Sequence, residues 1–211
     1  MTANVTDPRL QRRQAKVAQI LAEAWVLARR DGLAAVSLRE LADAVGLRQP
    51  SLYVYFASKR DLYDAMFADG YRALLDYTRT RDYSGDPRQA LTRFLSDLVQ
   101  FCGDDLVRYQ LLFQRTIPGF EPSERSFALA VEFYELGREV IGTAGGRSQD
   151  DVDVFTALVA GLAEQQTAND PGGRRWVRHS GRVVDMFLAD VDRRRQTTAL
   201  QENSHEHDHR R

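Results

Sequence analysis

The chain has 211 residues, of which 43% are apolar and 28% charged, a mixture typical of a globular protein with one sizeable core or a small domain joined to a larger one. The single cysteine, Cys102, excludes an intrachain disulfide framework and fits a reducing compartment. The first residues lack the apolar segment of a secretory signal, and no uncharged apolar run reaches the ~20 residues of a membrane helix. We therefore expect a cytoplasmic protein with no membrane partner.

Charge is distributed unevenly along the chain. Residues 1–60 hold ten Lys/Arg and five Asp/Glu, and the remainder holds nineteen Lys/Arg and twenty-five Asp/Glu. A segment with a net charge of +5 therefore precedes one with a net charge of −6. A basic amino-terminal third on an acidic body is expected where one end contacts phosphate. A chance variation in surface charge is the alternative, and charge alone does not separate the two.

Helical periodicity extends over nearly the whole chain. Capping boxes at Ser37–Glu40, Ser58–Asp61 and Ser148–Asp151 each predict a helix start, and no segment alternates as a strand would. The sequence predicts an all-α protein of about nine helices, with approximate ranges 17–31, 37–46, 49–56, 58–75, 86–103, 104–116, 122–142, 148–168 and 174–195.

Residues 37–56 have the pattern of a helix-turn-helix. A capped helix of about two turns ends at Gly46, a glycine expected in the left-handed conformation, and three residues lead to a short helix with Pro50 in its first turn. Such a helix fits a major groove about 12 Å wide. Its residues with few apolar contacts to make are Arg48, Gln49, Ser51, Tyr53 and Tyr55.

The stretch SLRELADAVGLRQPSLYVYFASKRDL, residues 37–62, resembles the DNA-binding signature of the TetR family of transcriptional regulators. The resemblance is strong over residues 10–65, and beyond them it is one of helix pattern only. Its matching pieces are Leu41-Ala42, Val45-Gly46, Ser51-Leu52-Tyr53, Tyr55-Phe56, Ser58-Lys59 and Leu62.

The resemblance implies particular roles for residues around the second and third helices. Arg39 would reach a base edge or a phosphate, and Lys59 would hold a phosphate at the start of the fourth helix. Tyr55 stands where the family often has histidine, and Arg48 is either a DNA contact or a solvated charge. The expected DNA-binding residues are Arg39, Arg48, Gln49, Ser51, Tyr53, Tyr55 and Lys59, with Arg9, Arg12, Arg13 and Lys16 as a basic lead-in that could add phosphate affinity.

The family forms two-fold dimers on palindromic sites, which predicts a homodimer. We expect a DNA-binding domain at 8–57, a helical ligand-binding and dimerisation domain at 58–195, and a disordered tail at 196–211. Apolar stripes on the last two helices either form the dimer interface or close the core of one chain, because periodicity does not separate these cases. The expected interface residues are Phe155, Leu158, Val159, Leu162, Val184, Phe187 and Val191.

The middle helices combine aromatic and polar side chains, as an apolar cavity for a small ligand requires. An aromatic stripe at helical spacing is also what a plain core contains. The family mechanism would be a population shift, in which a ligand beside the fourth helix misspaces the two reading helices. The candidate ligand residues are Tyr71, Phe101, Tyr109, Phe113 and Phe133.

The sequence contains no G-x-S-x-G, H-E-x-x-H, P-loop or paired C-x-x-C motif, so we expect no enzyme activity, catalytic residue, cofactor or metal. The tail histidines 205, 207 and 209 are either incidental or a weak transition-metal site. We expect a bacterial DNA-binding regulator, typically a repressor, that an unidentified small molecule releases from a double-stranded, palindromic operator. A helical enzyme and a non-regulatory DNA-binding protein are the alternatives; turnover without DNA affinity, or sequence-independent binding, would identify them.

Overall fold

The computed structural model describes residues 7–208, with the backbone alone described for 198–208. Within these residues the chain forms nine α-helices and no strand, which confirms the all-α prediction. The helices are α1 Pro8–Asp31, α2 Leu38–Ala44, α3 Gln49–Leu52, α4 Lys59–Arg79, α5 Pro87–Asp104, α6 Leu106–Phe113, α7 Glu124–Thr143, α8 Gln149–Asn169 and α9 Ser180–Asp208, with short 3-10 turns at Leu33–Ala35 and Val177–His179.

Local capping signals set the helix starts. At α8 the Ser148 hydroxyl accepts from the Asp151 amide while the Asp151 carboxylate accepts from the Ser148 amide, a complete capping box. The hydroxyls of Ser37 and Ser58 accept first-turn amides of α2 and α4 at 3.4 and 3.1 Å. Gly46 ends α2 at φ +68°, a conformation that costs residues with a Cβ about 1–2 kcal/mol.

The chain divides into two compact units. Among the described residues, unit 1 contains 7–74 and 106–131, and unit 2 contains 75–105 and 132–208. The division predicted from the sequence, after residue 57, stays a prediction. The units group α6 and the start of α7 with the helix-turn-helix, so the candidate site in unit 1 includes more than the amino-terminal helices.

Unit 1 has a core in which α1 packs against α2 and α6. Leu41 of α2 and Met66 of α4 are completely buried. Trp25 lies in the same core, and its indole N–H donates to Asp69 of α4 at 2.8 Å, which satisfies the donor that a buried tryptophan carries. These contacts hold α1, α2 and the first half of α4 as one body.

Unit 2 has a core in which α5 packs against both α8 and α9. Phe155 of α8 and Phe187 of α9 are completely buried, and their rings meet edge to face at 5.1 Å between centroids. Such a pair contributes about 0.5–1.5 kcal/mol beyond the area it buries.

A buried amide fixes the turn between α8 and α9. The Gln166 side chain is fully buried, and its Oε1 accepts from the backbone amides of Trp176 and Val177 at 2.9 and 3.3 Å. Its Nε2 donates to the Asp170 carbonyl. A Cβ at Gly103 would lie 2.9 Å from Gln166 Cγ, so only glycine lets the end of α5 approach this closely.

The carboxyl-terminal helix extends through Asp208 in the described backbone, and no glycine or proline follows Gly181 in the sequence. The disordered tail expected at 196–211 stays a prediction. The side chains of the three tail histidines lie outside the described residues. In the part of the chain that the structure describes, no helix is long and apolar enough to cross a membrane.

Candidate nucleic-acid interface and ligand cavity

The helix-turn-helix has its own small core. Leu41, Ala42 and Val45 of the α2 segment and Leu52 and Phe56 of the α3 segment are buried. Ala42 has no exposed surface, and its small side chain allows α2 and α3 to pack closely. This core fixes the orientation of α3 on α2, so the remaining side chains of α3 are available for other contacts.

The predicted DNA-binding residues differ in exposure. Arg39, Arg48 and Gln49 are exposed, and 43% of Tyr53 is exposed although its ring is large and apolar. Ser51 and Tyr55 are half-buried. An exposed aromatic flanked by cationic and amide side chains has the composition of a surface that contacts phosphate and base edges.

Lys59 is half-buried and already bonded within the chain. Its ammonium donates to the Ala34 carbonyl at 2.7 Å and lies 5.5 Å from the centre of the Tyr63 ring. Tyr63 in turn donates its hydroxyl to the Leu33 carbonyl at 2.6 Å, and burial raises the pKa of this hydroxyl above its ordinary value. The first turn of α4 is thus attached at two points to the segment that leads into α2.

Two basic residues of α1 bind backbone carbonyls of the helix-turn-helix. The Lys16 ammonium donates to the Val45 carbonyl at 2.7 Å, at the carboxyl end of α2. Arg13 donates to the Val54 carbonyl at 3.4 Å and lies over the Tyr55 ring. From the sequence, both belong to a basic lead-in that could add phosphate affinity, because charge pattern does not show which carbonyls a long side chain reaches.

A cavity of about 170 Å³ lies within unit 1. Its walls come from α4, the end of α6, the connecting segment 114–123 and the first turn of α7. The lining residues are Phe67, Tyr71, Leu111, Leu112, Phe113, Gln114, Arg115, Thr116, Ile117, Phe120, Glu121, Pro122 and Phe127.

The structure brings together two of the five predicted ligand residues, Tyr71 and Phe113, whose rings meet edge to face at 5.9 Å. Tyr109 is buried beside Phe113 but does not line the cavity. The other two belong to unit 2, where Phe101 packs on the Tyr77 ring at 5.3 Å and Phe133 on the Phe94 ring at 6.1 Å.

Sequence reasoning missed Phe67 and Phe120 as cavity residues. Phe67 falls on the helical stripe of α4, which is a signal that could have identified it. Phe120 lies in a segment with no helical periodicity.

The segment 114–123 is attached to α4 by the Asp64 carboxylate and by Arg60, which donates to the Glu121 carbonyl at 3.5 Å. Asp64 accepts from the Ser123 amide at 2.6 Å and from the hydroxyls of Ser123 and Ser126 at 2.9 and 2.8 Å. The Phe120 ring of this segment packs edge to face on Tyr63 at 5.9 Å. One wall of the cavity is therefore in contact with the same turn of α4 that holds the segment before α2.

The predicted dimer residues lie mostly inside one chain. Leu158 is half-buried, whereas six of the seven are buried in unit 2, and their part in a dimer interface stays a prediction. The faces of α8 and α9 that stay exposed carry Val154, with 46% of its surface exposed, and Met186, with 61%. The six buried residues are Phe155, Val159, Leu162, Val184, Phe187 and Val191.

Comparison with known proteins identifies the fold. A sequence profile described as "Bacterial regulatory proteins, tetR family" matches residues 20–66, and comparison with curated proteins gave no match. A TetR/AcrR-family transcriptional regulator from Thermobifida fusca is 26% identical at a TM-score of 0.58, over 82% of this chain and 97% of the other.

Two further solved structures share the fold. A tetR-family regulator from Streptomyces coelicolor is 20% identical at a TM-score of 0.64, over 86% of this chain and 88% of the other. A TetR variant from Acinetobacter baumannii, solved in complex with minocycline, is 22% identical at a TM-score of 0.55, over 83% of this chain and 96% of the other. Residues 20–66 therefore match the TetR-family profile, and the chain shares the all-α fold of solved transcriptional regulators of that family.

Proposed function

We propose that the chain is a sequence-specific regulator that binds a palindromic operator as a homodimer and that a small ligand releases it. The observation that supports this most strongly is the helix-turn-helix itself. A buried core holds α3 firmly while Arg48, Gln49 and Tyr53 remain exposed. A rigid short helix with exposed donors is what base readout in a major groove requires.

Sequence-specific binding requires a dimer, because one helix-turn-helix contacts too few base pairs for specificity. The exposed apolar residues of α8 and α9, Val154 and Met186, together with the small Gly161 allow a second copy to pack there. Analytical ultracentrifugation tests the interface: we expect Met186→Glu to shift the protein towards monomer, and Leu10→Glu, at another exposed apolar position, to leave its mass unchanged. A monomeric wild-type protein would contradict the homodimer.

The experiment that tests DNA binding is a fluorescence-anisotropy titration against duplexes from upstream of the gene, at ~150 mM salt with competitor DNA. A selection from random sequences extends it to operators elsewhere. We expect Gln49→Ala to weaken operator binding by about 1–3 kcal/mol per half-site, the value of a good base contact. Gln89→Ala, an exposed glutamine of unit 2, is the matched control. No selected sequence above random duplex would refute the proposal.

Ligand release is supported by the cavity beside α4 and by the relative that was solved with minocycline. A ligand that favours one position of α4 would change the spacing of the two reading helices, and full switching needs about 5.5 kcal/mol of differential affinity. Repression is tested by a reporter that carries the selected operator. Expression should fall when the protein is present and return when a releasing compound is added.

A further inference from the structure

We propose that the cavity of unit 1 binds an uncharged molecule with a single aromatic ring and one polar substituent such as a hydroxyl. This inference rests on the proposed function and names the chemical class of ligand for that site. Size, lining and charge support it independently.

The volume of the cavity sets the size of the ligand. It measures about 170 Å³, and an engineered apolar cavity of ~150 Å³ in another protein takes up benzene. Pockets for drug-sized ligands are larger, at roughly 300–1,000 Å³. One ring with a short substituent is therefore the ligand that matches this volume.

The walls favour an aromatic over a saturated ring. Phe67 and Tyr71 are buried with centroids 4.8 Å apart, and Phe113 and Phe120 meet them edge to face or nearly so at 5.9 and 6.4 Å. Rings in such positions present both edges and faces, and an aromatic guest gains about 0.5–1.5 kcal/mol over its burial alone from each such contact.

The polar part of the lining favours a neutral substituent. Arg115 and Glu121 both line the cavity and are exposed, so it reaches solvent beside one positive and one negative group. A charged substituent would be attracted by one of them and repelled by the other, so neither sign of charge is favoured, whereas a hydroxyl can donate to the carboxylate and accept from the guanidinium. Tyr71 offers no competing hydroxyl proton because it donates to the Leu112 carbonyl at 3.3 Å.

Isothermal titration of the full chain with five probes tests ring type, ring count and charge. Benzyl alcohol is the reference, cyclohexylmethanol has a saturated ring, 1-naphthylmethanol has two rings, and benzoate and benzylamine carry opposite charges. We expect a Kd for benzyl alcohol on the order of 0.1–1 mM, which is usual for so few atoms. Each of the other probes should bind about three- to tenfold more weakly.

Two variants locate the binding. Ile117→Phe fills the cavity and should weaken benzyl alcohol binding at least tenfold, whereas Val26→Phe, at an exposed position of α1 outside the lining, should leave it unchanged. Phe120→Ala removes a ring and should improve binding of 1-naphthylmethanol relative to benzyl alcohol. Circular dichroism melting checks that each variant folds.

The outcomes separate this inference from the proposed function. Equal affinity for cyclohexylmethanol, tighter binding of either charged probe, or binding unaffected by Ile117→Phe would overturn the assignment of ligand class. Absence of benzyl alcohol binding in a protein that still binds its operator would also overturn it and leave the regulator intact. Failure of operator binding alone would refute the proposed function instead.

Discussion

Lys16→Met tests whether the basic residues of α1 act on DNA or on the helix-turn-helix. Methionine keeps the apolar stem of the side chain and removes the ammonium, which donates to the Val45 carbonyl at 2.7 Å and to Gln19 Oε1 at 2.9 Å. A charged hydrogen bond contributes about 1.5–3 kcal/mol when buried, and the partial exposure of Lys16 reduces this to about 1 kcal/mol. Where this bond is needed for the DNA-bound arrangement of α2 and α3, two protomers lose at most about 2 kcal/mol, or ~30-fold in operator affinity.

The dependence of binding on salt distinguishes the two roles. A residue that neutralises a phosphate changes the slope of log K against log salt by about 0.9 per contact, whereas a positioning residue lowers affinity at every salt concentration with the slope unchanged. We expect the second result for Lys16→Met and the first for Arg12→Met, an exposed neighbour on α1. Anisotropy titrations from 50 to 300 mM salt measure both slopes. If the slope of log K against log salt for Lys16→Met fell by the value of one phosphate contact per protomer, the positioning role would be refuted.

Three further changes have expected outcomes. Burial raises the pKa of Asp151. Its bonds to the Ser148 amide and hydroxyl and to Arg194 of α9 outweigh the effect of burial and hold the pKa below its ordinary value. The ionised carboxylate therefore stabilises the fold at pH values above its pKa in the unfolded chain. This stabilisation is lost as the pH falls through the lower pKa of the folded state. In urea unfolding, Asp151→Asn should lower the free energy of unfolding by about 2–3 kcal/mol at pH 7 and by less below pH 4. Equal losses at the two pH values would contradict a stabilising role for the charged carboxylate. Gly46→Ala should cost about 1–2 kcal/mol from its positive φ, since its Cβ meets open space, while Gly142→Ala, also open but helical, should not lower the melting temperature. Tyr63→Phe removes the hydroxyl that bonds the segment before α2, and it should lower the free energy of unfolding by about 1–2 kcal/mol. Operator binding should weaken, while benzyl alcohol binding is retained. An unchanged operator affinity would argue that this bond does not position the helix-turn-helix.

The sequence predicted most accurately what is locally encoded. The starts of α2, α4 and α8 were predicted from serines whose hydroxyls accept first-turn amides, and the end of α2 from a glycine in the left-handed conformation. Each of these signals acts within four residues, so a single sequence contains it completely.

Features that depend on distant packing were not predictable in this way. Periodicity identified the apolar stripe of Val184 and Phe187 but not whether the chain itself or a second copy covers it, and the structure buries both within one chain. Phe120 reaches the cavity from an irregular segment, and Lys16 binds a carbonyl 29 residues away. In both cases the sequence shows the chemistry of the side chain but not its partner.

The buried Gln166 has a consequence for assembly. Because its amide bonds to the backbone on both sides of the turn between α8 and α9, the two helices hold their relative orientation within a single chain. A second copy that docks on their exposed faces would meet a surface that is already ordered. The conformational entropy lost on association is then small, and more of the buried apolar area contributes to dimer affinity.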